Sequence, residues 1–469
     1  MAVDRALGFK IKTITSKPNQ IYMKKRTPTA ILLLVLCNLL TLHSLAQMSI
    51  SAQVRTRTEL RDGQGAPLPE GAKPAFFTSQ RTRLAFGYSM YRLKLNVSAQ
   101  DVRVWGQEIS TINKTTPQDL NGLMFHEAWA EIRLNDTLSI GKVFSLKLGR
   151  QELIYDDQRL LGNLDWLQQG RRHDAALLKY ETQDWMLHIG TAFNQNKENA
   201  SGTVYTSIPP GNYPATTNGG SMYKSMAFFY AGKKLKKGTA SFLFFTDHFN
   251  KYYTDTITHL KVFDNSAWSR ATTGVYFNNN FNKLNATASA YYQFGRNYSG
   301  QKISAELLSL STQYAFSKKI STGAGIDFYS GGTNGSTSKA FDPLYGTPHK
   351  FAGLIDYYYA ASSFGKNGLF DYFLKTKYKM SDKLAMSADL HQFNSAAIVQ
   401  GYTTKNLGQE IDLIGSYALT KQIVFEAGYA HYFVTDLLTS PSVKNVPNAK
   451  SSANWAYLMI NVKPEWIFK

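Results

Sequence analysis

The sequence predicts an all-β chain: a transmembrane, antiparallel, up-and-down β-barrel of about eighteen strands, with short periplasmic turns and long extracellular loops. Three observations predict it. An apolar leader directs the chain out of the cytoplasm, long segments alternate between apolar and polar residues, and the links between those segments alternate between tight and long.

The leader comes first. The chain has 469 residues, 43% of them hydrophobic, and a mean hydropathy of −0.29, too polar for a bundle of membrane helices. Tyr and Phe number 28 each, which suits a β-rich protein with aromatic girdles. One uninterrupted apolar segment occurs, in MKKRTPTAILLLVLCNLLTLHSLAQ from Met23. Lys24, Lys25 and Arg26 form a positive n-region, Ile31 to Leu42 an apolar core too short to span a bilayer, and Ser44-Leu45-Ala46 a small-x-small cleavage site. Residues 1–46 are therefore expected to be an N-terminal extension plus signal peptide, with the true start at Met23, and 47–469 the barrel. The sole cysteine, Cys37, lies in the leader, so the mature chain has no disulfide, thiolate metal site or cysteine nucleophile. Cleavage would remove seven Lys/Arg and one Asp, lowering the net charge from +19 to +13. Outside the cytoplasm that surplus points to polyanions other than nucleic acid.

The alternation begins at SISAQVRTRTELR, residues 49–61. Ile50, Ala52, Val54, Thr56, Thr58 and Leu60 share one parity; Gln53, Arg55, Arg57, Glu59 and Arg61 share the other. Successive side chains on a strand point to opposite faces, so one face is apolar and the other charged. QRTRLAFGYSM, RLKLNVSAQ, KLNATASAYYQF and ISTGAGIDFYS repeat the pattern, with small Ser, Gly, Ala and Asn among the inward residues. Such residues would leave a lumen open. Segments this long exceed the five or so residues usual in a sandwich or β-helix strand.

Tight links are expected near Ser89–Tyr91, Asn135–Thr137, Glu181–Asp184, Ser317–Lys319, Ser381–Lys383 and Thr420–Gln422, with long polar links at 194–222, 250–267, 331–366 and 435–451. Outer-membrane barrels have short periplasmic turns and longer outer loops. Both termini are then periplasmic, in the outer membrane of a Gram-negative bacterium. The last segment, NWAYLMINV, is followed by Pro464, which interrupts the strand before Trp466-Ile467-Phe468. FDPLYGTPHKFAG, inside 331–366, carries Phe341, Leu344, Tyr345 and Phe351, which need something to pack on; the segment is expected to fold against the barrel mouth as a lid.

In a barrel the charged face lines the pore, because an arginine facing lipid at the midplane costs about 2–4 kcal/mol. The inward set of the first three segments contains Arg55, Arg57, Arg61, Arg81, Arg83, Arg92 and Lys94. Arg103 joins it if the register shifts near Asp101. Arginine keeps its charge and pairs with carboxylates through a planar fork. Glu59, Glu127 and Glu131 would share those hydrogen bonds and keep any one site from holding an anion too tightly. The alternative is a self-neutralising ladder that only stiffens the wall.

The stretch 146–180, LKLGRQELIYDDQRLLGNLDWLQQGRRHDAALLKY, carries a more specific pattern: Gly149, Arg150, Gln151, Asp156, Asp157, Arg159, Leu160, Trp166, Gly170, Arg171, Asp174 and Ala175. It closely resembles the alginate-export outer-membrane porins. FDPLYGTPHKFAGLIDYYY, NGLFDYFLKTKY, GQEIDLIGSYAL and FEAGYAHYF resemble later parts of the same family, so the likeness runs from Val54 to Val462. The resemblance implies an eighteen-stranded barrel passing an anionic uronate polymer through an arginine-rich conduit. It makes Arg55, Arg103, Arg150, Arg159 and Arg171, with Asp174 as an acidic partner, conduit candidates. Arg150 rests on the resemblance alone, since its parity is that of Leu146 and Leu148. The partners implied are an anionic polysaccharide or oligosaccharide, outer-membrane lipid, the barrel assembly machinery and periplasmic export or uptake components.

No cofactor or metal is expected. The nine histidines form no HExxH pattern. Asp156, Asp157 and Asp165 are weighed as a calcium site against a plain salt bridge from the aspartate pair to Arg159, which the spacing favours. Two other functions are set beside the polysaccharide channel: a general anion-selective porin for small acids or sugars, and a barrel-embedded hydrolase, for which His126 and His431 have outward parity but no signature serine. The chain is read as a channel, not an enzyme.

Overall fold

The computed structural model describes residues 47–106, 123–136, 140–194, 200, 223–358 and 365–468. The expected leader, residues 1–46, and most of the link 194–222 lie outside them.

Strict alternation is realised as strands. The first thirteen are β1 (Gln47–Arg61), β2 (Ala75–Met90), β3 (Leu93–Val104), β4 (Met124–Arg133), β5 (Lys142–Gln151), β6 (His173–Thr182), β7 (Trp185–Phe193), β8 (Ser225–Leu235), β9 (Gly238–Thr254), β10 (Lys261–Phe281), β11 (Leu284–Arg296), β12 (Lys302–Ala315) and β13 (Ile320–Tyr329). A two-strand ribbon, β14 (Thr333–Asn334) and β15 (Thr337–Ser338), follows. Then come β16 (Leu369–Lys379), β17 (Leu384–Asn394), β18 (Asn406–Ala418), β19 (Ile423–Val434), β20 (Ser452–Val462) and β21 (Glu465–Phe468). Each wall strand pairs antiparallel with its neighbour, β13 pairs onward with β16, and β20 and β21 both pair with β1. The result is a closed barrel of 18 wall strands. Closure removes every open edge, so each backbone polar group within lipid has a partner. Among the described residues no helix is long and apolar enough to cross a membrane.

The two parities behave as their chemistry requires. Leu84, Leu310 and Leu413 project outward, 58%, 52% and 48% exposed before lipid covers them, while Arg81 and Gln100 project inward at 1% and 0%. Pro464 interrupts the last strand only locally. Its carbonyl accepts the Ala52 N–H at 3.1 Å, and β21 resumes the pairing with Trp466 beside Ile50 and Phe468 beside Met48.

Two expectations are corrected. The link 250–267 is mostly strand: β9 and β10 continue past the apolar band as a hairpin, with a register shift between Phe263 and Ala267. Tyr252 packs edge-on against Phe263 and Trp268, at 5.7 and 5.1 Å between ring centroids, and so supports the extension. The lumen is also not simply open. Segments 152–172, after β5, and 330–358, after β13, turn inward and pack on each other and on the wall. Leu153, Leu160, Leu161, Phe341, Leu344 and Tyr345 form an internal core with Phe228, Phe245 and Phe249. The apolar residues of the second segment find the packing the sequence requires, Phe341 and Leu344 being 3% and 0% exposed.

Candidate functional site

The inward segments touch through backbone. Tyr345 N–H donates to the Leu160 carbonyl at 2.9 Å, Gly162 N–H to the Tyr345 carbonyl at 3.0 Å and Thr347 N–H to the Gln158 carbonyl at 2.8 Å. At Gly346 a Cβ would run into the Arg159 carbonyl oxygen, so the approach requires glycine. Arg171, 1% exposed, donates through Nη1 to the Gly346 carbonyl and ties the end of the first segment to the second.

Three arginines of the predicted stripe, Arg55, Arg57 and Arg81, hold this assembly to the wall. Arg55 donates to Gln168 Oε1 at 3.0 Å and to the carbonyls of Asp165, Trp166 and Leu167 at 2.8, 3.2 and 3.2 Å. Arg57 donates to the Trp166 carbonyl at 2.8 Å, lies 4.1 Å from the centre of its ring, and pairs with Glu59 at 2.8 Å. His349 stacks on Trp166 at 4.2 Å. Arg81 meets the Asp165 carboxylate at 2.9 Å. Burial opposes ionisation of Asp165, but the charges of Arg81, Arg55 and Arg83 outweigh it and hold its carboxyl below the usual range. Arg83 differs. It is half-buried and donates from Nε and Nη2 to Gln100 Oε1 at 3.0 and 2.6 Å, and among the described residues no carboxylate forms an ion pair with it.

Other anchors use residues whose role sequence reasoning missed. Arg270 grips Asp247 with two bonds of 2.9 and 2.5 Å and reaches Asp342 of the second segment at 2.6 Å. Tyr345 OH donates to the same Asp247 at 2.9 Å. Arg159 donates to Asp327 at 2.8 Å and to Tyr329 OH at 2.6 Å, with its guanidinium over Phe351 at 3.9 Å. Glu410 accepts the Ile355 N–H at 2.8 Å, and Tyr358 and Tyr432 share a 2.6 Å bond. The interior is thus divided, with arginines on β1 and β2 and buried Asp327, Asp371, Glu410 and Asp412 on β13, β16 and β18.

The three loop aspartates separate. Asp157 pairs with Arg159 at 3.4 Å, as the spacing favoured, and Asp165 with Arg81. Asp156 accepts from Tyr230 OH at 2.9 Å and Ser241 Oγ at 2.8 Å. No cluster with metal-holding geometry occurs among the described residues.

The remaining candidate residues divide. Glu59 accepts from Arg57, Arg61 and Trp455; Glu127 from Asn96 and Trp129; Glu131 from Ser145 and Lys179. All three face inward. Arg103, Arg150 and Asp174 do not. β2 and β3 pair without a register shift, so Arg103 sits beside outward Gln80 and bonds Asp101 at 2.6 Å. The shift falls instead between β3 and β4, at Ser98/Ala99. Arg150 shares the outward face with Leu148 and pairs across the strand with Asp174 at 2.8 Å. His126, expected to face outward, is fully buried and bonds Glu152 at 2.8 Å.

On the short-turn side of the inward segments lies a cavity of about 760 Å3. Arg55, Arg81, Arg83, Lys350 and Lys463 line it, with Glu127, Glu152, Asp165 and Glu426 among them. A closed barrel whose lumen holds inward segments and this charged cavity defines an outer-membrane channel of the porin type. The pattern that defines the alginate export family matches residues 46–449, and the chain belongs to that family. In fold it resembles OccAB4 of Acinetobacter baumannii (11% identity, 91% of this chain and 99% of that chain covered, TM-score 0.57). It also resembles OpdK of Pseudomonas aeruginosa (10%, 90% and 99%, 0.56) and OpdQ of the same organism (13%, 90% and 98%, 0.53). The comparison with curated proteins gave no match.

Proposed function

We propose that this channel passes an anionic polysaccharide of the uronate type through its arginine-bearing lumen, with the short turns and both termini in the periplasm. The observation that carries the reading is Arg83, which faces the cavity with a neutral glutamine as its side-chain partner. Arg55, Arg57, Arg81, Arg159 and Arg171 spend their hydrogen bonds on the inward segments or on wall carboxylates, so they act by shaping the constriction and setting its potential. Glu59, Glu127 and Glu131 temper that potential.

A second reading has its own support. The inward segments leave a cavity of about 760 Å3, the size of a small-molecule site. OpdK, a structural neighbour, has been solved with vanillate. On this reading the channel takes small acids. No observation favours a hydrolase: His126 is engaged by Glu152 and His431 by Asn454.

Reversal potentials in planar bilayers test the proposal. The wild type should prefer anions, Arg83→Gln should reduce that preference, and the difference should shrink as salt rises, because lumen charges act through water. An unchanged reversal potential at low salt would sink it. Blocking by oligouronates, strengthening from monomer to hexamer, separates the polymer reading from the small-acid one.

A further inference from the structure

The short-turn end carries a second concentration of positive charge. Lys318 and Lys319 lie in the turn between β12 and β13, Lys377 and Lys379 end β16, and Lys383 follows in the next turn. All five are exposed. They border a single groove of about 720 Å3.

The lysines and hydroxyls of the groove stand on the lumen face, while Ile320, Tyr378 and Met386 reach it from the outer face at its rim. Lys377 is cross-strand from Ser321 and Ser387, and Ser387 from Ile414. These residues share the parity of inward Asp327, Asp371 and Asp412. Ser321, Ser387 and Ser416 supply hydroxyls on the inward face, beside Ala315, Ala385, Ile414 and Ala418. The one acid lining the groove, Asp382, is almost fully exposed and bonds Lys379 at 2.7 Å. Among the described residues Lys318, Lys319, Lys377 and Lys383 form no ion pair, whereas Lys375, deeper on β16, is taken by Asp389 at 2.8 Å. The groove also adjoins the arginine cavity: Val424 lines one, and Glu426, two residues along the same face of β19, lines the other.

We propose that this lysine groove is an anion site distinct from the arginine wall, which receives the carboxylates of an acidic saccharide at the short-turn mouth and hands the chain along β19 to the cavity at Arg83. The inference rests on the polyuronate reading above. Lysine suits a receiving site. Its ammonium is a compact, strongly hydrated charge on a flexible stem, so it attracts without the two-point grip of a guanidinium. The hydroxyls beneath match sugar hydroxyls, and the inward face favours a chain in water over a lipid headgroup. Lys283 and Lys421, exposed in neighbouring short turns, extend the positive field along the rim and focus anions toward the groove.

The test uses a trigalacturonate added to one side of a planar bilayer at a time at low salt, with each channel's orientation read by streptavidin binding to a biotin on a long loop. In the combined Lys377→Gln, Lys379→Gln and Lys383→Gln variant, blockades from the short-turn side should fall about tenfold. Blockades from the long-loop side should stay within about twofold, and arginine at the same three positions should restore the loss. Equal loss from both sides, or none, overturns the site. Heat-modifiable migration on gels checks assembly. Wild-type protein gives an independent reading: trigalacturonate should protect Lys377 and Lys383 from acetylation more than Lys283 and Lys421. Absence of that protection, or protection by anionic phospholipid alone, overturns the proposal. A wild type that prefers anions while the variant shows no one-sided loss refutes this groove only. A wild type that neither prefers anions nor is blocked from either side refutes the polyuronate reading, and the groove with it.

Discussion

Arg81 and Asp165, 84 residues apart in sequence, meet inside the barrel through a 2.9 Å ion pair. One partner stands on the wall and the other on a segment that leaves the wall, so the pair converts a pore-lining charge into a tether. Arg81 is 1% exposed and the Asp165 side chain 48%. The arginine therefore depends on the contact more than the aspartate does.

Asp165→Asn removes the counter-charge shared by Arg81 and Arg55. Leaving a buried cation with a neutral acceptor costs about 1–3 kcal/mol. Segment 163–169 should then detach in part of the population. Single-channel recordings should show more open-channel noise and a stronger anion preference, since two guanidinium groups lose their acid. A quieter or less anion-selective channel would contradict the tether.

Gly346→Ala places a methyl group against the Arg159 carbonyl oxygen. The two inward segments must separate, weakening the bonds between Tyr345 and Leu160 and between Thr347 and Gln158, each worth about 1 kcal/mol. Mean conductance should rise while heat-modifiable migration on gels stays normal. Unchanged conductance would show that the contact between the segments does not limit flow.

Asp156 gives the first inward segment a pH dependence. Burial pushes its carboxyl up from 3.8 to about 6, against the bonds from Ser241 and Tyr230 that favour the charged form. A carboxyl raised in the folded state stabilises docking most below about 4, and that contribution is lost as pH rises through about 6. Protection of the amides of residues 153–161 in micelles, corrected for the intrinsic pH dependence of exchange, should be greater at pH 5 than at pH 7.5. Asp156→Asn should remove the difference.

Arg103 and Arg150 provide the complementary test. Their outward placement predicts that Arg103→Gln and Arg150→Gln leave reversal potentials unchanged, while Arg150→Gln strips Asp174 of a two-bond partner of 2.8 and 2.9 Å. A selectivity change in either variant equal to that of Arg83→Gln would contradict the strand register.

The wall was legible because its rule is local: Arg55 and Leu60 have opposite parity whatever the rest of the chain does. The register at Arg103 was not legible, because one residue of slip reverses every side chain, and only the pairing partner fixes where a bulge falls. Nor was the use of the arginines. That depends on the inward turn of segment 152–172, a long-range event. Yet a trace of it is present in MAFFY and FLFF on β8 and β9, where both parities are aromatic or aliphatic. Phe228, Phe245 and Leu243 would be costly against water, so something had to cover them from inside. Arg270 and Asp247 stand in that same apolar arc, and their pairing follows from it.

The seam between β1 and β20 bears on how the barrel comes into being. Gln53 donates to Asn461 at 2.8 Å across 408 residues of intervening chain. Contacts so distant in sequence form slowly, since loop-closure entropy must be met before they stabilise anything. The arginine-bearing strand leaves the ribosome early and waits for its last partner until the final strand has been made. Throughout that interval β1 presents an open edge, the hazard that makes unfinished sheets aggregate. Biogenesis of this chain is therefore a problem of shielding one edge of its first strand until its last strand arrives.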